Sequence, residues 1–102
     1  MNNIGLSENN LSAMIDAIKQ NPNITSASIY GSRATGDFSS HSDIDIAIYG
    51  DCDIFDAENL MSLLDELPTA YTFDVVAYNL IKNPDLREHI DRVGVVVYHY
   101  EI

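Results

Sequence analysis

Basic residues, cysteine and long apolar runs are all scarce in this sequence. Five Lys and Arg residues (Lys19, Arg33, Lys82, Arg87 and Arg92) stand against 16 Asp and Glu, giving a formal net charge of −11. Affinity for phosphate backbones and anionic lipid rests on Lys and Arg, so the sequence predicts no direct nucleic-acid partner and no membrane partner. A nucleotide remains open to such a chain if a metal cation stands between the two. Cys52 is the single cysteine, which excludes an internal disulfide framework and a cysteine-rich zinc site, and fits a reducing cytoplasm. The apolar runs are short, as in Val93–Tyr98, far below the ~20 residues of a membrane helix. Met1-Asn2-Asn3-Ile4 has no basic segment leading into an apolar one, so no secretory leader is expected. There is no repeat, low-complexity tract or linker.

What is present is enough for a core. Apolar residues make up 46% of 102 residues, a globular proportion and one domain's length, so residues 1–102 are expected to form a single domain. Leu6, Leu11, Met14, Ile15 and Ile18 recur at helical spacing behind Ser7 and Glu8, and Pro22 ends that helix. Ile24–Tyr30 reads as a strand stopping at Gly31, and Arg33–Ser42 as a loop opening with one helical turn. Asp43–Tyr49 alternates as a second strand with Ile44, Ile46 and Ile48 on one face. A helix follows from about Phe55 to Pro68, introduced by the acidic run Asp51–Asp56. Tyr71–Tyr78 is a third strand, Pro84 opens a last helix that buries Leu86 and Ile90, and Val95–Tyr100 is a final strand. The order predicts an α+β fold, a small mixed sheet flanked by helices.

The chemistry concentrates in Gly31–Gly36 and Ser42–Asp45. On a strand, residues two apart share a face, so Asp43 and Asp45 project together, opposite the isoleucines. Adjacent like charges are unfavourable unless a cation sits between them, and Mg²⁺ prefers such oxygen ligands. The bland alternative is a solvated face. Asp74 is the only charge in Tyr71–Tyr78, and in an interior strand it wants a partner. If that strand neighbours Asp43–Tyr49, three carboxylates converge, a set suited to two metals.

Gly31-x4-Gly36 superficially begins a P-loop, but Asp37-Phe38 follows where Lys and Ser/Thr are required. No Gly-x-Gly-x-x-Gly exists for a dinucleotide fold, and calcium loops starting at Asp43 or Asp51 have Ile48 or Asp56 at the glycine position. What remains is a strand ending in Gly31-Ser32 ahead of a helical turn. There, backbone N–H groups and the Ser32 hydroxyl can cradle phosphate, with Arg33 either adding charge nearby or making a surface ion pair.

Gly31-Ser32-x3-Gly36-x5-Ser42-Asp43-x-Asp45 with a later-strand Asp74 resembles the nucleotidyltransferase superfamily that includes DNA polymerase beta. The short length, and Leu86–Ile90 followed by Val93–Tyr98, resemble its minimal nucleotidyltransferases, the MNT antitoxins paired with HEPN-type toxins. The resemblance implies that Asp43, Asp45 and Asp74 hold Mg²⁺, two ions in all, with Asp74 also positioning the attacking hydroxyl. It implies that Gly31, Ser32, Gly36 and Ser42 bind the nucleotide, and that AMP passes from ATP to a hydroxyl, tyrosine by expectation, of a HEPN-type toxin ribonuclease. Two other readings are kept: an antitoxin that blocks its toxin by binding alone, and a transferase for a small molecule of the aminoglycoside type. Of the remaining residues, His41, His89 and His99 show no metal-ligand spacing, Cys52 reads as a loop thiol without a role, and the aromatic residues, Tyr98 and Tyr100 included, are expected in the core.

Overall fold

The computed structural model describes residues 6–36, 43–69 and 71–100. Helix α1 (Glu8–Lys19) starts where the Ser7 hydroxyl accepts the Asn10 N–H at 3.2 Å, and it buries Met14, Ala17 and Ile18. Strand β1 (Ile24–Tyr30) leads into a four-residue helix, α2 (Ser32–Thr35), and strand β2 (Ile44–Gly50) follows. Helix α3 (Ile54–Asp65) opens with a reciprocal cap: the Asp53 carboxylate accepts the Asp56 N–H, and the Asp56 carboxylate accepts the Asp53 N–H, both at 2.9 Å. Strand β3 (Phe73–Ala77) passes through a 3-10 turn over Tyr78–Leu80 to helix α4 (Pro84–Val93), capped by Asn83 with Pro84 in the first turn, and strand β4 (Val95–His99) closes the fold.

The four strands form one mixed sheet in the order β3-β2-β1-β4. Strand β1 runs antiparallel to β2 and to β4, and β2 runs parallel to β3. Period-two alternation sorts the side chains between two faces. Ile29, Ile44, Ile46, Ile48, Phe73 and Val75 pack with α1 and α3 on one face, while Tyr30, Ala47 and Val76 pack with Ile90 and Leu86 of α4 on the other. Asp45 and Asp74 alternate with Ala47 and Val76, so both lie on the α4 face. None of the helices in the described residues is long and apolar enough to cross a membrane.

The α+β class and the element order agree with the sequence reading; several local expectations do not. Strand β3 is an edge strand, not an interior one, and Asp74 is exposed. Its charge is tolerated by water, not by burial with a partner. Tyr78 leaves the strand for the 3-10 turn, where its hydroxyl donates to Asp91 Oδ1 at 2.7 Å. Tyr100 is 55% exposed, because it lies past the end of an edge strand. Cys52 is buried in the core between β2 and α3, with its thiol near the Asn23 carbonyl. Burial, then Asp56, Asp51 and Asp53, push that thiol up to about 11.

Candidate active site

The site is built where β1 ends beside the start of β2. Tyr30 pairs in register with Asp45, and Asp45 with Asp74, so three side chains cross β1, β2 and β3 in one row on one face. Beyond Tyr30 the chain turns at Gly31, whose φ of +77° is a conformation L side chains rarely adopt. A Cβ there would stand 2.5 Å from Asp45 Oδ2, so the Gly31 backbone lies directly against the carboxylate. Ser32 then opens α2, and Gly36, at φ +90°, closes it by donating its N–H to the Ser32 carbonyl at 3.0 Å.

The row is electrostatically loaded. The Asp45 carboxyl is held above the usual carboxylate range by burial first, then by Asp74 and Asp43; His89 on α4 pulls the other way. The Tyr30 hydroxyl is pushed up to about 12 by burial, Asp45 and Asp74, so it remains a neutral hydroxyl beside the carboxylates. His89 meets the Tyr30 ring edge-on, with centroids 6.3 Å apart and planes at 81°.

The expected site residues fare differently. Gly31, Ser32, Asp45 and Asp74 are brought together around the end of β1. Asp43 stands exposed just before β2, near enough for its charge to act on Asp45. Among the described residues, however, no three His, Cys, Asp or Glu side chains are gathered closely enough to hold a metal ion by themselves. The three carboxylates thus do not converge into a closed ligand set: Asp45 and Asp74 are register partners, and Asp43 stands two residues before Asp45. Arg33 departs most from a surface reading: it is 1% exposed, with its guanidinium 5.1 Å from the centre of the Tyr71 ring. Ser42 and His41 lie outside the described residues.

Tyr30 and His89 were missed as site residues. Tyr30 reads as one more apolar strand position until the β1–β2 register sets it opposite Asp45. His89 precedes the buried Ile90 by one residue on α4, and only the packing of that helix on the sheet brings it to Tyr30.

A family model described as "Polymerase beta, Nucleotidyltransferase" matches residues 12–101. Solved structures with a similar fold include a toxin-antitoxin with AMP-PNP, at 22% identity and a TM-score of 0.68, covering 94% of this chain and 76% of that one. A tri-AMPylated Shewanella oneidensis HEPN toxin in complex with an MNT antitoxin matches at 18% identity and a TM-score of 0.70, covering 93% and 74%. The toxin-antitoxin MntA-HepT matches at 21% identity and a TM-score of 0.63, covering 92% and 74%. No curated protein matches the chain. With a family match running from within α1 to beyond β4, and the Gly-Ser turn set against an aspartate row, the chain belongs to the polymerase beta nucleotidyltransferase family.

Proposed function

We propose that this chain is an Mg²⁺-dependent adenylyltransferase and the antitoxin of a toxin–antitoxin pair, transferring AMP from ATP to a tyrosine hydroxyl of a HEPN-type toxin ribonuclease in the cytoplasm. The observation that carries the reading is the register row Tyr30–Asp45–Asp74 with the Gly31-Ser32 turn laid against Asp45. Solved relatives of the same fold are toxin–antitoxin complexes, one with AMP-PNP and one with an AMPylated HEPN toxin, which supports the substrate and the partner.

The donor set fits Mg²⁺. Asp43, Asp45 and Asp74 offer hard carboxylate oxygens; burial first, then Asp74 and Asp43, lift Asp45, and a divalent cation would offset both. Because the three do not close on one another, the triphosphate would supply the remaining oxygens. When bound, the metal neutralises phosphate charge and lowers the barrier to attack at phosphorus.

The chain's own groups do the positioning. Ser32 and the Gly31 backbone hold the β- and γ-phosphates at the head of α2, which Gly36 closes, and Ser42 is a further nucleotide-binding residue of this reading. Asp74, at the exposed edge, is reachable by an incoming protein; its carboxylate accepts the proton of the acceptor hydroxyl. The hydroxyl oxygen bonds to the α-phosphorus as the bond to the bridging oxygen breaks, and pyrophosphate leaves. Tyr30 stays protonated and walls the row from the α4 side.

Mass spectrometry of the cognate HEPN-type protein after incubation with ATP and Mg²⁺ tests this. Gain of one or more AMP units, lost in the Asp43→Ala/Asp45→Ala double variant, is the expected result. A double variant that still neutralises the toxin without modifying it would establish inhibition by binding instead.

A further inference from the structure

Among the described residues no strand lies beside the outer side of β3, and an open apolar groove of about 250 Å³ runs along it. Ile54 and Ala57 of α3, Val75 and Val76 of β3, and Leu80 and Ile81 beyond it line the groove. Ile54 and Leu80 are 58% and 48% exposed, and Phe55, next to Ile54, is 68% exposed. Edge strands are ordinarily blunted by charged side chains, lysine above all, by proline or by a bulge, and the one charge on β3 is Asp74, at the end that meets the candidate active site. Strand β3, Phe73-Asp74-Val75-Val76-Ala77, contains neither lysine nor proline, and its pairing with β2 runs without a register shift.

Resting on the reading of the chain as a transferase with a protein acceptor, we propose that this groove is where the acceptor docks, through an extended apolar segment flanked by lysine or arginine. Position argues for the acceptor. Val76 lines the groove and shares a sheet face with Asp74, two residues and about 7 Å away along the same strand. A segment seated beside Val76 therefore carries its neighbouring residues to the exposed carboxylate that has to receive the hydroxyl. The edge is able to take an added strand, with alternate side chains entering the groove.

Charge selects the kind of segment. Asp53 precedes Ile54, Glu58 lies one helical turn after it, and Asp74 stands at the far end; all three are exposed, with Lys82 beyond Ile81 the neighbouring cation. The whole chain carries −11, which opposes a second copy on this face and favours a cationic partner.

The test uses the full-length chain, ATP, Mg²⁺ and the cognate HEPN-type protein. Leu80→Lys and Ile54→Lys alter exposed side chains, and Val96→Lys on β4, 64% exposed, is the control. Both groove variants are expected to weaken acceptor binding and raise the acceptor KM at least tenfold with ATP affinity unchanged, while Val96→Lys changes neither. An unchanged acceptor Kd and KM in both groove variants overturns the proposal. So does a wild-type chain that sediments as a dimer and becomes monomeric on Leu80→Lys, because the occupant is then a second copy. If wild type binds the protein but transfers no AMP, the transferase reading fails, and the Kd comparison alone decides the groove.

Discussion

Asp45 is where function and stability pull in opposite directions. Its carboxyl is raised by burial and by Asp74 and Asp43, so the ionised form is less favourable in the folded chain than in the unfolded one. Stability from this group is present below the ordinary carboxylate pKa and declines as pH rises from there through the raised value. Asp45→Asn is therefore expected to raise Tm without metal at a pH above that raised value, while abolishing transfer. Mg²⁺ should raise the Tm of wild type and leave that of the variant unmoved. Thermal melts with and without Mg²⁺ check both signs. Gly31 is the complementary case. A Cβ at φ +77° and 2.5 Å from Asp45 Oδ2 brings backbone strain of roughly 1–3 kcal/mol and displaces the carboxylate. Gly31→Ala should accordingly lower Tm and reduce kcat at least a hundredfold, read by melting and by initial rates.

At the scale of elements, the caps explain why the helices begin where they do. Asp53 and Asp56 satisfy each other's backbone N–H groups at the head of α3, and Asn21 donates to Asp56 Oδ1 at 2.8 Å, tying the end of α1 to the start of α3. The Asn21 bond, then the Asp53 backbone, hold the Asp56 carboxyl below the usual range. Asp53→Ala should cost about 1 kcal/mol, a fall in Tm of roughly 4–8 °C for a chain this size, with kcat unchanged; chemical denaturation checks it. Signals of this local kind were legible in the sequence. Ser7, the Asp51–Asp56 run and Pro84 mark helix starts, and the isoleucine alternation marks β2, because caps and periodicity act within one turn or one strand. Strand order was not legible. It depends on pairings between distant segments, such as β1 with β4, and it decides that β3 is an edge and Asp74 exposed. The same blindness hid Tyr30, which becomes a site residue only through its register with Asp45. The burial of Arg33 was not legible either: sequence left its charge beside phosphate or at the surface, and only the fold sets it against the Tyr71 ring in a buried place.

At the scale of the molecule, the −11 charge weighs against long polyanions but leaves a nucleotide open, since a divalent cation can stand between carboxylates and phosphate. With 16 acidic residues against five Lys and Arg, the acceptor that suits this chain is one that brings positive charge. The central claim is nucleotidyl transfer, and it is tested most directly by the fate of label from ATP carrying phosphorus-32 at either the α- or the γ-position, incubated with this chain, Mg²⁺ and the cognate HEPN-type protein. The account predicts that α-label becomes covalently attached to the acceptor while γ-label is recovered in pyrophosphate. Attachment of γ-label, or binding of the acceptor with neither label transferred, would contradict it.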